Sequence, residues 1–310
     1  MSRWTFPLGT LRHDGWDVVV DDALDGWQHT GLLVVDLTAG DERRFTTATR
    51  EAVVLPLSGG ATVTVTGPYG DLMADLAPRA SVFAGAPDVV YAPRGSDVVV
   101  SATAGPTRVA LCLAVVPGEA PDDVPPPRHL PAADVPVELR GAGQASREVR
   151  NFGVPGVLGA ERIIACEVVT PEGNWSSYPP HKHDEERPDE ETALEEIYYH
   201  EVRVTPGSPA PGPNGEGADP HGYLRVYGSG ADREIDELTP VRTGDVVLVP
   251  HGWHGPAMAV PGYDLYYLNV MAGPGPERAW LICDDPAHGW VRSTWADQPV
   301  DPRLPLGGPR

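Results

Sequence analysis

Between Asp17 and Val116 the chain breaks into short β-branched runs, and no stretch there carries a helical period long enough for an α-helix. Thr62, Thr64 and Thr66 alternate with Val63 and Val65, the period of a strand with one buried and one wet face. Similar runs lie at Asp17–Val20, Gly31–Asp36, Val53–Leu57, Asp88–Ala92, Asp97–Ala102 and Arg108–Val116. The pattern resumes at Glu161–Val169, Glu196–Val204, Gly222–Tyr227, Asp245–Val249 and Asp264–Val270. The breaks are made by 35 glycines and 35 prolines, while 41% hydrophobic residues suffice to fill a core. These features predict an all-β chain of many short strands. At 310 residues it is long enough for two domains, or for one large all-β unit.

Residues 117–136 hold seven prolines and read as a surface linker in extended or polyproline geometry. The expected division is therefore a first unit over 1–116, a linker over 117–140, a second unit over 141–300 and an unstructured tail over 301–310. A loop over Thr205–His221, rich in Pro and Gly, is expected to be mobile. The units echo each other. Gly85–Gly95 and Gly244–Gly252 share a glycine, a β-rich run and a Pro-x-Gly turn, and the run from Glu51 resembles the run from Glu196. Internal duplication accounts for both echoes; chance in a chain rich in Gly and Pro is the alternative.

The formal charge of −21 disfavours a nucleic-acid partner, because such a surface repels phosphate backbones. The N-terminus has no apolar signal segment, and no apolar run is long enough to span a bilayer, so no membrane partner and a cytoplasmic location are expected. Cys112, Cys166 and Cys283 are odd in number and far apart, which fits buried thiols and no disulfide framework.

One constellation carries chemistry. His181 and His183 are two apart, so on a strand their imidazoles share a face. Glu196 opens the next β-run, and His254 follows the turn Pro250-His-Gly-Trp-His at the start of another strand. Three imidazoles and a carboxylate suit one divalent ion: zinc first, with Mn, Fe, Co or Ni compatible. A His-x-His pair alone is common by chance, and surface histidines in an acidic loop are the simpler alternative.

The full pattern, His181-x-His183, Glu196 and Gly244-x5-Pro250-x-Gly252-x-His254, resembles the paired motifs of cupins, with two departures. About a dozen residues separate His183 from Glu196, where cupins have three or four, and the last turn is one residue short. The acidic insertion Asp184–Glu191 is expected to loop out as a solvated segment. The strings Asn174–Asp184, Leu194–Tyr199, Val249–His254 and Gly262–Gly273 resemble the 5-deoxy-glucuronate isomerase family of myo-inositol catabolism, and Arg3–Leu11 and Asp284–Trp290 fit its ends. The 5-keto-4-deoxyuronate isomerases are more distantly similar. The resemblance implies a bicupin of two double-stranded β-helix (jelly-roll) barrels, with the metal in the second. It also implies a metal-dependent aldose–ketose isomerase converting 5-deoxy-D-glucuronate to 5-dehydro-2-deoxy-D-gluconate.

That chemistry asks for an ion to stabilise an enediolate, a side chain to move the proton, and a cation to hold the substrate carboxylate. Tyr198 shares the face of Glu196 and is a catalytic candidate, with a core-filling role as its alternative. Arg225, alternating with Tyr223 and Tyr227, is the candidate carboxylate clamp if that face is inward, and a solvent-facing arginine if not. Trp253, Tyr267 and Asn269 are lesser pocket candidates, and Lys182 is expected to point away from its histidine neighbours. No Gly-rich phosphate loop appears, so the expected partner is a small sugar acid with no organic cofactor, and a homo-oligomer stays open. A metal-dependent dioxygenase and a non-catalytic sugar-acid-binding bicupin are the alternative functions.

Overall fold

The computed structural model describes residues 3–103, 105–209 and 217–306. Among these, 22 strands and four short 3-10 segments make up the regular structure, and no α-helix occurs. No helix there is long and apolar enough to cross a membrane. In the first half, nine strands between Val18 and Leu130 pair into one folded sheet. Its spine, Arg50–Thr66, serves two walls: the first part pairs with Thr107–Val115, the second with Leu72–Arg79 and Asp97–Ala102. The register shifts between Pro56 and Ser58 and again between Gly59 and Ala61, which bends the strand. Gly59 has a φ of +71°, and a Cβ there would lie 2.5 Å from Thr107 Oγ1. Only glycine fits that bend. The two runs expected at 53–57 and 61–66 are thus one bulged strand.

The second half has two sheets. The first runs Thr5–Phe6, Val246–Val249, Glu195–Val204, Tyr263–Ala272, Ile164–Thr170, Arg147–Gly153 and Val137–Arg140. The other runs Asp236–Val241, Gly222–Tyr227, Trp253–Ala259, His181–Lys182 and Cys283–Asp284, with Trp175–Ser176 beside Trp253–Ala259.

Strand parity sorts the side chains into three main cores. From the spine of the first barrel, Ala52 and Val54 pack inward with Leu33, Val63 and Val100. The alternate residues Val53, Leu55 and Leu57 face outward, where they meet Ile197, Tyr199 and Leu268 of the second half. Tyr198 and Val202 point the other way, into the second barrel with Leu224, Val226 and Val247. Both faces of these strands are covered, which is why their sequences are near-continuous apolar runs. Each large side chain buried in the seam contributes about 1.5–3 kcal/mol.

The unit boundaries differ from those expected. Thr5–Phe6, at the start of the chain, is an edge strand of the second half, paired to Val246–Val247. The proline-rich connection is anchored at both ends: Arg128–Leu130 pairs with Val89–Tyr91, and Val137–Arg140 pairs with Arg147–Arg150. Leu304 and Leu306 are buried in the seam, and Leu306 N–H donates to Glu148 at 2.9 Å, so residues 301–306 are packed and not a loose tail. Residues 307–310 and, within the Thr205–His221 loop, residues 210–216 lie outside the described residues.

Two carboxylates stitch the halves together reciprocally. Glu51 accepts the backbone N–H groups of Glu161, Arg162 and Ile163, and the Tyr91 hydroxyl at 2.7 Å. Glu195 accepts the N–H groups of Gln28, His29 and Thr30, and the Thr30 hydroxyl at 3.0 Å. Each therefore ties a strand of one half to the strand entrance of the other. Their registers match: Glu51 stands opposite Ala114 and Glu195 opposite Ala272, while Ala52 faces Ala92 and Glu196 faces Val249. The counterpart of Glu51 is thus Glu195, one residue before the alignment suggested by the sequence echo, and Glu196 has Ala52 as its counterpart. Charge-assisted hydrogen bonds to buried donors are worth about 1.5–3 kcal/mol each. Glu51→Ala or Glu195→Ala should each lower the unfolding free energy by at least about 2 kcal/mol. Urea unfolding checks this, with the exposed Glu185→Ala expected to leave the midpoint unchanged.

Candidate metal centre

The second barrel positions its histidines by pairing. His181 lies directly opposite His254 across two antiparallel strands, and His183 follows the end of the short strand His181–Lys182. Glu196 projects inward from the neighbouring sheet, on the face shared with Tyr198 and His200. All four candidate ligands are buried, with His181 the most exposed at 8%. Glu196 Oε2 is 3.2 Å from His183 Nε2 and 3.2 Å from His254 Nε2. The ligand atoms of His183, Glu196 and His254 all fall within 4.8 Å of one another. His181 stands just outside this triad, its ring centroid 4.5 Å from that of His254 and 6.3 Å from that of His183.

The surroundings fix the imidazoles for ligation. Nδ1 of His181, His183 and His254 lies 3.3, 3.1 and 3.3 Å from the carbonyls of Pro179, Leu194 and Gly252. A carbonyl calls for a proton on Nδ1, which leaves the lone pair on Nε2. The Nε2 of His254 is buried without a hydrogen-bond partner; it is near Glu196 but not aligned for a hydrogen bond. Such an orphaned nitrogen beside a carboxylate and further imidazoles is what a divalent first-row ion satisfies, so the donor set fits the group. Burial raises the Glu196 pKa, but the close approach of His183 and His254 outweighs it and holds the carboxyl down at about 2. Burial, then the neighbouring His254 and His183, push His181 well below the ordinary histidine range. Glu196 is an anion and His181 a neutral imidazole at neutral pH, the forms that bind metal.

The acidic insertion is rooted here. Lys182 Nζ points away from the centre, as its parity requires, and binds Asp184 at 2.7 Å and Glu191 at 2.8 Å. Asp184 also accepts the N–H of Gly252 at 2.8 Å, in the turn that presents His254. Both ends of the insertion are therefore buried struts and not solvated loop, while most of residues 185–190 is exposed. Among the described cysteines, Cys112 and Cys166 are buried as expected, whereas Cys283 is half-buried beside Arg187.

A small cavity of about 30 Å³ adjoins the centre, lined by His181, Glu196, Tyr198, Tyr267, Arg140 and Arg147 among others. Tyr198 reaches it: its ring is 6.2 Å from that of His254, and its hydroxyl is 3.3 Å from Ser177 Oγ. Burial, with the Glu196 charge added, raises its pKa well above that of free tyrosine. Burial likewise pushes Tyr267 up to about 12 against the hydrogen bonds of Ser176 and Ser177. Both phenols stay protonated and can donate.

Arg225 does not reach the cavity. Leu224 and Val226 take the buried face of Gly222–Tyr227, so Arg225 is turned outward, where it binds Asp236 at 2.5 Å and lies over Tyr227. The cations at the cavity, Arg140 and Arg147, lie on strands whose charged residues show no apolar alternation. Beyond Arg147 opens an aromatic groove of about 590 Å³, lined by Trp175, Tyr178, Trp290 and Trp295.

Comparison with known proteins agrees with this architecture. The model of the KduI/IolB family matches residues 7–291. The 5-deoxy-glucuronate isomerase of Geobacillus kaustophilus is 40% identical over 294 residues, covering 94% of this chain and 96% of the relative. That of Halalkalibacterium halodurans is 36% identical over 283 residues, covering 91% of this chain and 93% of the relative. The crystal structure of an IolB-like protein from Salmonella typhimurium superposes with a TM-score of 0.77 at 30% identity, covering 93% of this chain and 98% of that one. An oxalate decarboxylase from Lactobacillus farciminis matches with a TM-score of 0.63 at 14% identity, covering 92% of this chain and 89% of that one, a likeness of fold alone. With a matching family model across nearly its whole length and relatives at this identity, the chain belongs to the KduI/IolB family.

Proposed function

We propose that this protein is a metal-dependent aldose–ketose isomerase that converts 5-deoxy-D-glucuronate to 5-dehydro-2-deoxy-D-gluconate in myo-inositol catabolism. The names of its relatives support the reaction. The observation that carries the reading is the buried donor cluster of His183, Glu196 and His254, whose Glu196 borders a cavity with two protonated phenols. In this reading these three residues hold one divalent ion, zinc first, with His181 closing the set as fourth ligand. Such an ion would supply Lewis-acid stabilisation of the negative charge that develops on the oxygens at C1 and C2.

The chain's own groups do the rest. Tyr198 and Tyr267, held protonated by burial, donate hydrogen bonds to substrate oxygens and can deliver a proton to one of them. Ser177 links them, its Oγ lying 3.0 Å from Tyr267 Oη and 3.3 Å from Tyr198 Oη, so a proton lost by one can be shared along the chain.

Purified protein supplied with Zn, Mn, Fe, Co or Ni should convert 5-deoxy-D-glucuronate without organic cofactor, followed by NMR under anaerobic conditions, and should take up no oxygen in a parallel aerobic assay. Absence of conversion with every metal would refute the reading, and oxygen consumption would favour a dioxygenase. Glu196→Gln should lower metal content and turnover together. Tyr198→Phe should keep its metal and lose about 10²-fold in kcat, the range for a positioned acid or base. An undiminished kcat would reduce Tyr198 to a core filler.

A further inference from the structure

Among the described residues four arginines are buried to 8% exposure or less: Arg79, Arg94, Arg147 and Arg150. Three are matched by carboxylates. Arg79 and Arg150 bind Glu167, Arg150 also binds Glu148, and Arg94 binds Glu161 at 2.6 Å. Arg147 is the exception. Its Nη1 donates to two backbone carbonyls, Ala145 at 2.9 Å and Tyr178 at 3.5 Å. Among the described residues no carboxylate lies in ion-pair range of it. An uncompensated buried cation is costly, and in a chain with 44 acidic residues against 23 basic ones a partner was readily available.

The neighbours aggravate the deficit. Arg140 stands directly opposite Arg147 across the strand pair, a like-charge juxtaposition that destabilises a sheet. Arg140 is itself forked onto Glu138, at 2.9 and 2.7 Å. Arg147 and Arg292 lie over the same Trp295 ring, at 5.4 and 5.1 Å, and Arg292 is committed to Asp284. Burial pulls the Arg147 pKa down to about 10, and Arg140 and Arg292 add to the fall against Tyr267. Arg147 nonetheless stays charged at neutral pH. Its guanidinium borders the same cavity as His181 and Glu196.

We propose that Arg147, flanked by Arg140, is the anion subsite of this cavity and seats the carboxylate of the sugar acid while the other end of the molecule faces His181 and Glu196. This rests on the isomerase reading for the identity of the sugar acid. A planar guanidinium can present two parallel N–H donors to a carboxylate, and bound charge of that sign relieves the Arg140–Arg147 repulsion. A sugar acid is larger than the present cavity of about 30 Å³, so its binding has to widen the space between Arg147 and Glu196.

The test compares a charged with an uncharged sugar on the full-length, metal-loaded protein. D-Glucuronate and D-glucose are titrated by calorimetry into wild type, Arg147→Gln, Arg147→Lys and, as a surface control, Arg225→Ala. Metal stoichiometry and circular dichroism report on folding. Wild type and Arg225→Ala should prefer glucuronate by at least tenfold. Arg147→Gln should lose that preference, and Arg147→Lys should lose most of it, because an ammonium cannot replace the fork. With 5-deoxy-D-glucuronate, the KM of Arg147→Gln should rise at least tenfold while kcat stays within threefold. If Arg147→Gln fails to fold, Arg147→Lys is read by the same binding criterion. A folded Arg147 variant that keeps the full preference for glucuronate overturns the subsite. Wild type that binds glucuronate selectively yet converts no 5-deoxy-D-glucuronate overturns the isomerase reading alone.

Discussion

The register of the strand Glu195–Val204, held between Val246–Val249 and Tyr263–Ala272, is the constraint on which both barrels depend. It turns Glu195 toward the first half, where the carboxylate gathers the N–H groups of residues 28–30. It turns Glu196 toward His183 and His254. A slip of one residue would exchange the two, placing a structural carboxylate in the metal centre and a ligand in the seam. Apolar neighbours prevent the slip: Ile197 and Tyr199 belong to the seam, and Tyr198 to the barrel interior. Stability and site chemistry are therefore fixed by the same pairing.

The two halves share a register but not the same interior side chains. At the position of Glu196 stands Ala52, packed with Val54, Val63 and Val100 in an interior made of apolar side chains. The first barrel has become a buttress. Its Arg79 reaches across the seam to Glu167, and Glu167 also accepts the Tyr266 hydroxyl at 2.7 Å, so the wall behind the second barrel is held by buried ionic bonds as well as by packing. On the other side of that wall three arginines gather. Arg140 and Arg292 are paired there with Glu138 and Asp284, and Arg147 is the arginine left without a carboxylate among the described residues.

Much of this is legible in the residues. Period-2 runs mark the strands, and the spacing of His181, His183, Glu196 and His254 points to the cluster that the second half brings together. The orientation of Arg225 is also legible: Leu224 and Val226 name the buried face of that strand, and the arginine between them belongs outside. Arg147 is not. Its strand reads Arg-Glu-Val-Arg-Asn, charged on both faces, because one face is met by buried partners from elsewhere in the chain and the other borders the cavity. Long-range ion pairs of this kind leave no local periodicity. The packed segment 301–306 escapes for a related reason, since two leucines among prolines carry no period, yet both enter the seam.

The proposed metal ion would be held in the second barrel by the triad of His183, Glu196 and His254 with His181 beside it, and the first barrel is expected to hold none. Anomalous diffraction from crystals of the metal-loaded protein tests it directly. The account predicts a single anomalous peak per chain, bonded to Nε2 of the three histidines and to Glu196 at roughly 2.0–2.3 Å. A peak in the first barrel, or one bound elsewhere while these four side chains stay unligated, would contradict it.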